Sequence, residues 1–402
     1  ITNLKLTIMK NQIILSLLAI SGLASCSDNS DDNYEEIPSY PFVEAEFGST
    51  VDLGNLANYA NQTVPAYIIK DNSQGNLITD KGATLGRVLF YDKNLSSNNT
   101  ISCASCHKQE FAFSDTNVAS TGVNGTTGRH SMRLINSRFA SETKFFWNER
   151  ALNLETQTTM PIKDHGEMGF SGENGDLSFD DLITKLSAIG YYKELFKFVY
   201  GTEEITEAKI QSALAQFIRS IQSFDSKYDA GRALATNDGQ PFSNFTAQEN
   251  QGKNLFLSPP VFNTNGVRTS GGLGCAGCHR APEFDIDPNT LNNGIIGTIA
   301  GTGIDTGNTR APSLRDLVRT DGTTNGPMMH TGVITTLQAA IGHYGTINLA
   351  PGNNNLDPRL TPGGVGQQLN LTATEVNAVI AFLRTLSGTD VYTNTKWSNP
   401  FN

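Results

Sequence analysis

Apolar residues recur at three- and four-residue spacing in several stretches of the chain, the pattern of helices with one buried face. Leu85, Val88 and Leu89 carry it between Lys81 and Phe90. Ile210, Ala213, Leu214, Phe217, Ile218 and Ile221 carry it more strongly, and Val376, Val379, Ile380 and Leu383 form a third set. Two helix starts are written as capping boxes, Thr246 with Glu249 and Thr372 with Glu375, in which side chain and backbone satisfy each other's N–H groups. Gly388 is the expected stop of the last helix. A further helical region, with Leu152, is expected after Trp147. The intervening stretches read as loops, notably the glycine-rich run from Gly122 to Gly128 and residues 226–245. No stretch alternates long enough for a convincing strand. The expected fold is mainly α, with many loops and little β.

Gly86-Arg87-Val88-Leu89-Phe90 returns as Gly252-Lys253-Asn254-Leu255-Phe256, each inside a helical stretch and each followed by a loop. That is a weak internal repeat, consistent with two related domains. With 402 residues the chain is long enough for both. The expected division is 46–232 and 233–402.

Ahead of them, residues 1–25 read as an export signal. Lys10 follows Met9, and a short apolar run from Ile13 to Leu23 leads into Leu23-Ala24-Ser25-Cys26. The run is too short to span a membrane. Leu-Ala-Ser-Cys resembles the bacterial lipobox, which implies cleavage before Cys26 and lipid attached to its thiol. The protein is then expected on the periplasmic side or at the outer membrane, held by lipid alone. An ordinary periplasmic signal with an incidental cysteine is the alternative. Residues 26–45, polar and carrying Pro38 and Pro41, read as a tether, with folding expected from near Phe47. The balance of 29 Lys and Arg against 39 Asp and Glu excludes a nucleic-acid partner, which needs a basic face.

The remaining four cysteines fall into two identical words, Cys103-Ala104-Ser105-Cys106-His107 and Cys275-Ala276-Gly277-Cys278-His279. Cys-x-x-Cys-His is the attachment motif of c-type haem. The thiols bond the haem and the histidine binds its iron. A zinc site built from both pairs would have six ligands where four suffice. Two covalently bound haems are therefore expected, on Cys103, Cys106 and His107 and on Cys275, Cys278 and His279.

Around these words the chain resembles the bacterial di-haem cytochrome c peroxidase family, which includes MauG-type enzymes. Phe145-Phe146-Trp147-Asn148-Glu149-Arg150-Ala151 is similar to the family's Phe-Trp-Asp-Gly-Arg-Ala. Leu154-Glu155-x-Gln157, Pro161 and Glu167-Met168 follow in matching order, then Arg310-x-Pro312-Ser313-Leu314-Arg315 and Met329-His330-x-Gly332. The resemblance runs from about Leu85 to Leu386. It implies two haem domains facing each other, with peroxide reduced at the first haem and electrons entering through the second. Trp147 is implied as a relay between them. Glu167, with Gln157 nearby, is implied as the group over the open iron, and His165 could assist it. Hydrogen peroxide and a small electron donor, a cytochrome c or a cupredoxin, are the implied partners. A homodimer is left open.

Two departures from the family pattern matter. The loop Thr116 to Gly128 has no histidine to close the first iron, which by resemblance leans toward a standing open site. His130 is the nearby candidate to close it. His130 also stands where the family has an asparagine that helps bind calcium, and histidine is a poor ligand for that hard cation. Calcium is thus doubtful, with Asn325 and the Pro327 carbonyl as remaining candidates. At the second iron Tyr344 stands where many members have methionine. Tyr344 is the expected iron ligand there, His343 its competitor, with Met328 and Met329 outside the matching motif. Three functions follow: a peroxide reductase, a MauG-like oxidase of a protein residue or organic substrate, and a di-haem electron carrier without catalysis.

Overall fold

The computed structural model describes residues 39–401, apart from 142 and 287; the expected signal and Cys26 lie outside the described residues. Eleven α-helices occur among the described residues: α1 Pro41–Phe47, α2 Asp80–Tyr91, α3 Cys103–Cys106, α4 Leu154–Thr159, α5 Phe179–Ser187, α6 Gly190–Tyr200, α7 Glu207–Ser220, α8 Lys227–Arg232, α9 Ala247–Leu257, α10 Leu337–Gly345 and α11 Ala373–Arg384. Strands are confined to three antiparallel pairs of two to four residues each. The mainly helical expectation holds.

The repeat has a structural meaning. Gly86 lies where α2 crosses α7, and a Cβ there would collide with the carbonyl of Ala213. Gly252 lies where α9 crosses α11, and a Cβ would collide with the carbonyl of Ala378. Each half thus uses one glycine to bring two helix backbones into contact. The Phe four residues on, Phe90 or Phe256, is buried in the core beside that crossing. Both expected capping boxes form, at the starts of α9 and α11.

Three expectations need correction. The tether does not run to residue 45, because α1 begins at Pro41. Proline suits the first helical turn, where its missing N–H costs nothing, and Val43 and Phe47, four apart, are both buried. The loop expected over 226–245 contains α8, opened by a capping box of Ser226 and Asp229; a helix of six residues is too short to show a period. The last helix stops at Arg384 rather than near Gly388, whose N–H instead donates to the Asp316 carboxylate at 2.9 Å.

Two apolar cores result. The first gathers α1, α2, α6 and α7 around residues such as Leu89, Phe90, Leu214 and Phe217. The second gathers α9 and α11 around Phe256, Phe284 and Phe382, and Tyr228 of α8 already belongs to it. The division is not strictly sequential. Val391 and Trp397, just past Leu386 of the second core, pack into the first. There Tyr91 donates to the Trp397 carbonyl (2.7 Å), and Arg87 Nε to that of Ser398 (2.7 Å).

Candidate active site

Each Cys-x-x-Cys-His word opens onto its own cavity. In the first word Ser102 caps α3 through a box with Ser105, and the single turn that follows sets Cys103 and Cys106 on one wall. His107 Nδ1 lies 3.2 Å from the Phe113 carbonyl. Donation there holds the ring and leaves Nε2 free to bind iron. The cavity measures about 370 Å³ and is lined by Cys103, Cys106 and His107 together with Trp147, Arg150, Gln157, Asp164, Glu167 and Met168. Glu167, Gln157 and Trp147 therefore lie around one space with Cys103, Cys106 and His107.

The second cavity measures about 560 Å³ and is lined by Cys275, Cys278, His279, Met328, Met329 and Tyr344. Burial pushes the thiols of Cys103 and Cys275 up to about 12 and that of Cys106 to about 11. It also pushes His279 down to about 4, so the imidazole is neutral, as a metal ligand must be. No cysteine among the described residues forms a disulfide.

The two cavities share a wall. His130, Ser131, Met132, Arg133, Trp147, Arg310 and Pro312 line both. Trp147, only 7 % exposed, donates from Nε1 to the His130 carbonyl at 2.7 Å. Its own carbonyl accepts from Arg310 N–H at 2.8 Å, and the His130 N–H donates to the His330 carbonyl at 2.8 Å. The His330 ring meets the indole edge-on at 6.3 Å. The indole is thus fixed between the two spaces by strands of backbone from both halves.

Glu167 is held by the glycine-rich loop. Val123 N–H donates to its carbonyl (2.9 Å), and Asn124 N–H to that of Gly166 (3.2 Å). Its own N–H donates to Asp164 Oδ1 at 3.0 Å. Burial, with some repulsion from Asp164, raises its carboxyl to about 7, against the pull of Arg150. The Arg150 guanidinium lies 3.5 Å from the Phe146 ring centroid. A carboxyl balanced near neutrality can both accept and return a proton. His165 is not among the lining residues; its ring pairs with Asp176 at 2.9 Å.

His130 is buried, with Nδ1 3.0 Å from the Asn117 carbonyl and Nε2 3.5 Å from Ser114 Oγ. Both nitrogens are engaged by the loop after the first word. At the second site Tyr344 lines the cavity and His343 does not. His343 Nε2 lies 2.9 Å from the Asn293 carbonyl, while the Asn293 amide reaches Tyr344 OH at 3.5 Å and Met329 Sδ at 3.4 Å.

Asn325, a calcium candidate from the sequence, has its side chain engaged within the protein. It is fully buried, its amide donates to the Asp316 carbonyl and to Tyr392, and its side-chain oxygen accepts from Arg319 Nε at 3.2 Å. Pro327 lines the second cavity. No group of three or more His, Cys, Asp or Glu suited to a metal occurs among the described residues.

Some of the site was not read from the sequence. Met132 and Arg133 line both cavities, and Asp285 from the second half reaches the first; no motif flags them. Glu155 of the Leu-Glu-x-Gln piece is structural, pairing with Arg219 and so tying α4 to α7. Arg315 is likewise structural, buried and bidentate on Asp229 at 2.8 and 3.0 Å.

A mainly helical protein with two His-bearing cavities back to back across a tryptophan defines a class, the two-centre redox cytochromes. Residues 80–237 match the family described as di-haem cytochrome c peroxidase. The methylamine utilization protein MauG of Methylorubrum extorquens is 30 % identical over 282 residues, covering 67 % of this chain and 70 % of the relative. The cytochrome c551 peroxidase of Nitrosomonas europaea is 28 % identical over 321 residues, covering 76 % and 80 %. A crystal structure of a MauG-like protein associated with microbial copper homeostasis superposes with a TM-score of 0.64 at 28 % identity, covering 85 % of this chain and 99 % of that one. The chain belongs to the di-haem cytochrome c peroxidase and MauG family. It is an oxidoreductase with two haems.

Proposed function

We propose that the chain reduces hydrogen peroxide to water at the first cavity, with electrons supplied through the second by a small redox protein. The observation that carries this is the meeting of Glu167, Gln157 and Trp147 with Cys103, Cys106 and His107 around one space. Both cavities fit a c-type haem: paired thiols without disulfides, a neutral histidine, and a largely apolar lining. Cys103 and Cys106, and Cys275 and Cys278, would hold the haems as thioethers, and His107 and His279 would bind iron. The haem supplies a redox-active iron.

The chain's own groups do the rest. Glu167 takes a proton from the near oxygen of peroxide and returns it to the departing one, which its near-neutral carboxyl permits. Gln157, on α4, offers an amide to the same space. Trp147, held by His130 and Arg310, offers an aromatic bridge between the centres. The engagement of both His130 nitrogens supports a first site that no histidine closes. Tyr344 is the proposed ligand of the second iron, supported by its place in the cavity against His343 outside it.

The half built on the first core, from α1 through α7, would be peroxidatic, and the half built on the second core, from α8 onward, would transfer electrons, with Val391 and Trp397 returning to the first. Export and lipid attachment at Cys26 complete the proposal; among the described residues no helix is long and apolar enough to cross a membrane.

The MauG-like oxidase is the second reading, favoured by the likeness to MauG. The test is turnover of the haem-loaded protein with peroxide and reduced cytochrome c or cupredoxin, beside a spectroscopic redox titration of both haems. Peroxide-dependent donor oxidation is expected. Reaction with peroxide but with no donor tried would favour the oxidase. Peroxide that leaves the ferric spectrum unchanged would leave only an electron carrier.

A further inference from the structure

In the wall between the cavities stands a guanidinium with too few partners. Arg133 lines both cavities. Its Nη2 donates to the Ser313 carbonyl at 3.1 Å, and its Nε is buried without a hydrogen-bond partner. It forms no ion pair with any described residue. Neither carboxylate near the wall pairs with it. Asp285, in the first cavity, pairs with Lys70 at 2.7 Å. Asp316, buried nearby, accepts from Gly388 N–H at 2.9 Å and Tyr392 OH at 3.2 Å, both at Oδ1, and its Oδ2 attracts Arg133 only from beyond ion-pair distance. Arg310, the other cation of the wall, lies over the Phe145 ring at 4.6 Å.

Arg133 is half-buried and lines the two cavities; a charge so withdrawn from bulk solvent without an ion pair is costly, and a structure that keeps one is short of an anion. The anion must come with something that enters these cavities. A haem brings two propionate carboxylates, and a guanidinium is the side chain whose planar fork suits carboxylates. We propose that Arg133 is a positioning residue shared by the two haems, its guanidinium taking propionate from both cavities and so tying the two reduction potentials to one charge. The inference rests on haem occupying both cavities and adds the residue that couples them.

A positive charge beside each haem favours the reduced form, which carries one positive charge less. Its loss should make both haems harder to reduce. The experiment is a spectroelectrochemical titration of the haem-loaded protein, of Arg133→Gln and of Arg133→Lys, with covalent haem checked on a denaturing gel. In Arg133→Gln the equilibrium constant for reduction should fall roughly tenfold at each haem, about 59 mV for a one-electron couple. Arg133→Lys should keep both potentials near those of the unsubstituted protein at neutral pH. It should then lose them together as the pH rises, at a lower pH than the unsubstituted protein, whose guanidinium is the stronger base. The lysine variant keeps the test alive if the glutamine variant does not fold. A shift at one haem only overturns the shared role. No shift in Arg133→Gln, or a lysine variant that follows the unsubstituted protein to high pH, overturns the pairing altogether. An unsubstituted chain without covalent haem overturns the attachment reading first, and this inference with it.

Discussion

Glu167 shows how much of a catalytic role depends on surroundings that a sequence does not print. By residue type it is one of many surface acids, and only its place after the Trp147 motif marked it. What prepares it is burial in the first cavity, which holds its carboxyl near 7. Below that value the group is protonated and cannot accept the proton of peroxide. The rate of reaction with peroxide should therefore fall as the pH drops through about 7, as stopped-flow measurement across pH would show. Glu167→Gln should abolish that limb and slow the reaction roughly 10²–10⁴-fold, with haem spectra retained. Tyr344 is the counterpart at the second site. Its burial raises the phenol, so an anionic tyrosine there requires a bound cation to hold it, as metals do for their ligands. Tyr344→Phe should change the low-spin spectrum of the second haem, whereas His343→Gln should leave it. The reverse pattern would hand the ligand role to His343. Arg133 and Met132 had no such legibility. They belong to the site because two halves of the chain meet there, a relation no local pattern encodes.

At the scale of elements, periodicity and capping chemistry were readable because they are local. The apolar face of α7 and the capping boxes of α9 and α11 depend on neighbours three or four residues away. α8 and α1 were missed because six or seven residues hold too few turns to show a period. The Gly-x-x-Leu-Phe repeat was visible as a likeness, but its reason was not: it is the contact made across each crossing by a distant helix. Replacing Gly86 or Gly252 by Ala should therefore overpack its crossing despite alanine's better helix propensity. The expected cost is about 1–3 kcal/mol for each, read as a lower urea midpoint. Alanine variants as stable as the parent would show that the helices can separate freely at that point.

For the molecule as a whole, the two cores are interleaved rather than strung in sequence. Trp397 is almost fully buried in the first core, with Nε1 3.3 Å from Ser220 Oγ at the end of α7. Tyr59 donates to the Lys396 carbonyl at 2.5 Å, and Gln109, just past His107, donates to the Asn394 carbonyl at 3.0 Å. Trp397→Ala should cost about 3–5 kcal/mol. It should also lower the melting temperature measured through the first haem at least as much as through the second. A change confined to the second haem would contradict the packing.

That fold-back sets an order of events during synthesis. A ribosome emits the chain from its N-terminal end, and domains made first usually fold first. Here the first core waits for a segment more than 150 residues beyond α8. Cys103 and Cys106 accordingly belong to a half that stays unfinished until Trp397 has been made. The half that carries the proposed peroxide site thus closes no earlier than the other, although its cysteines are made first, and they stay open longer to the machinery that installs haem.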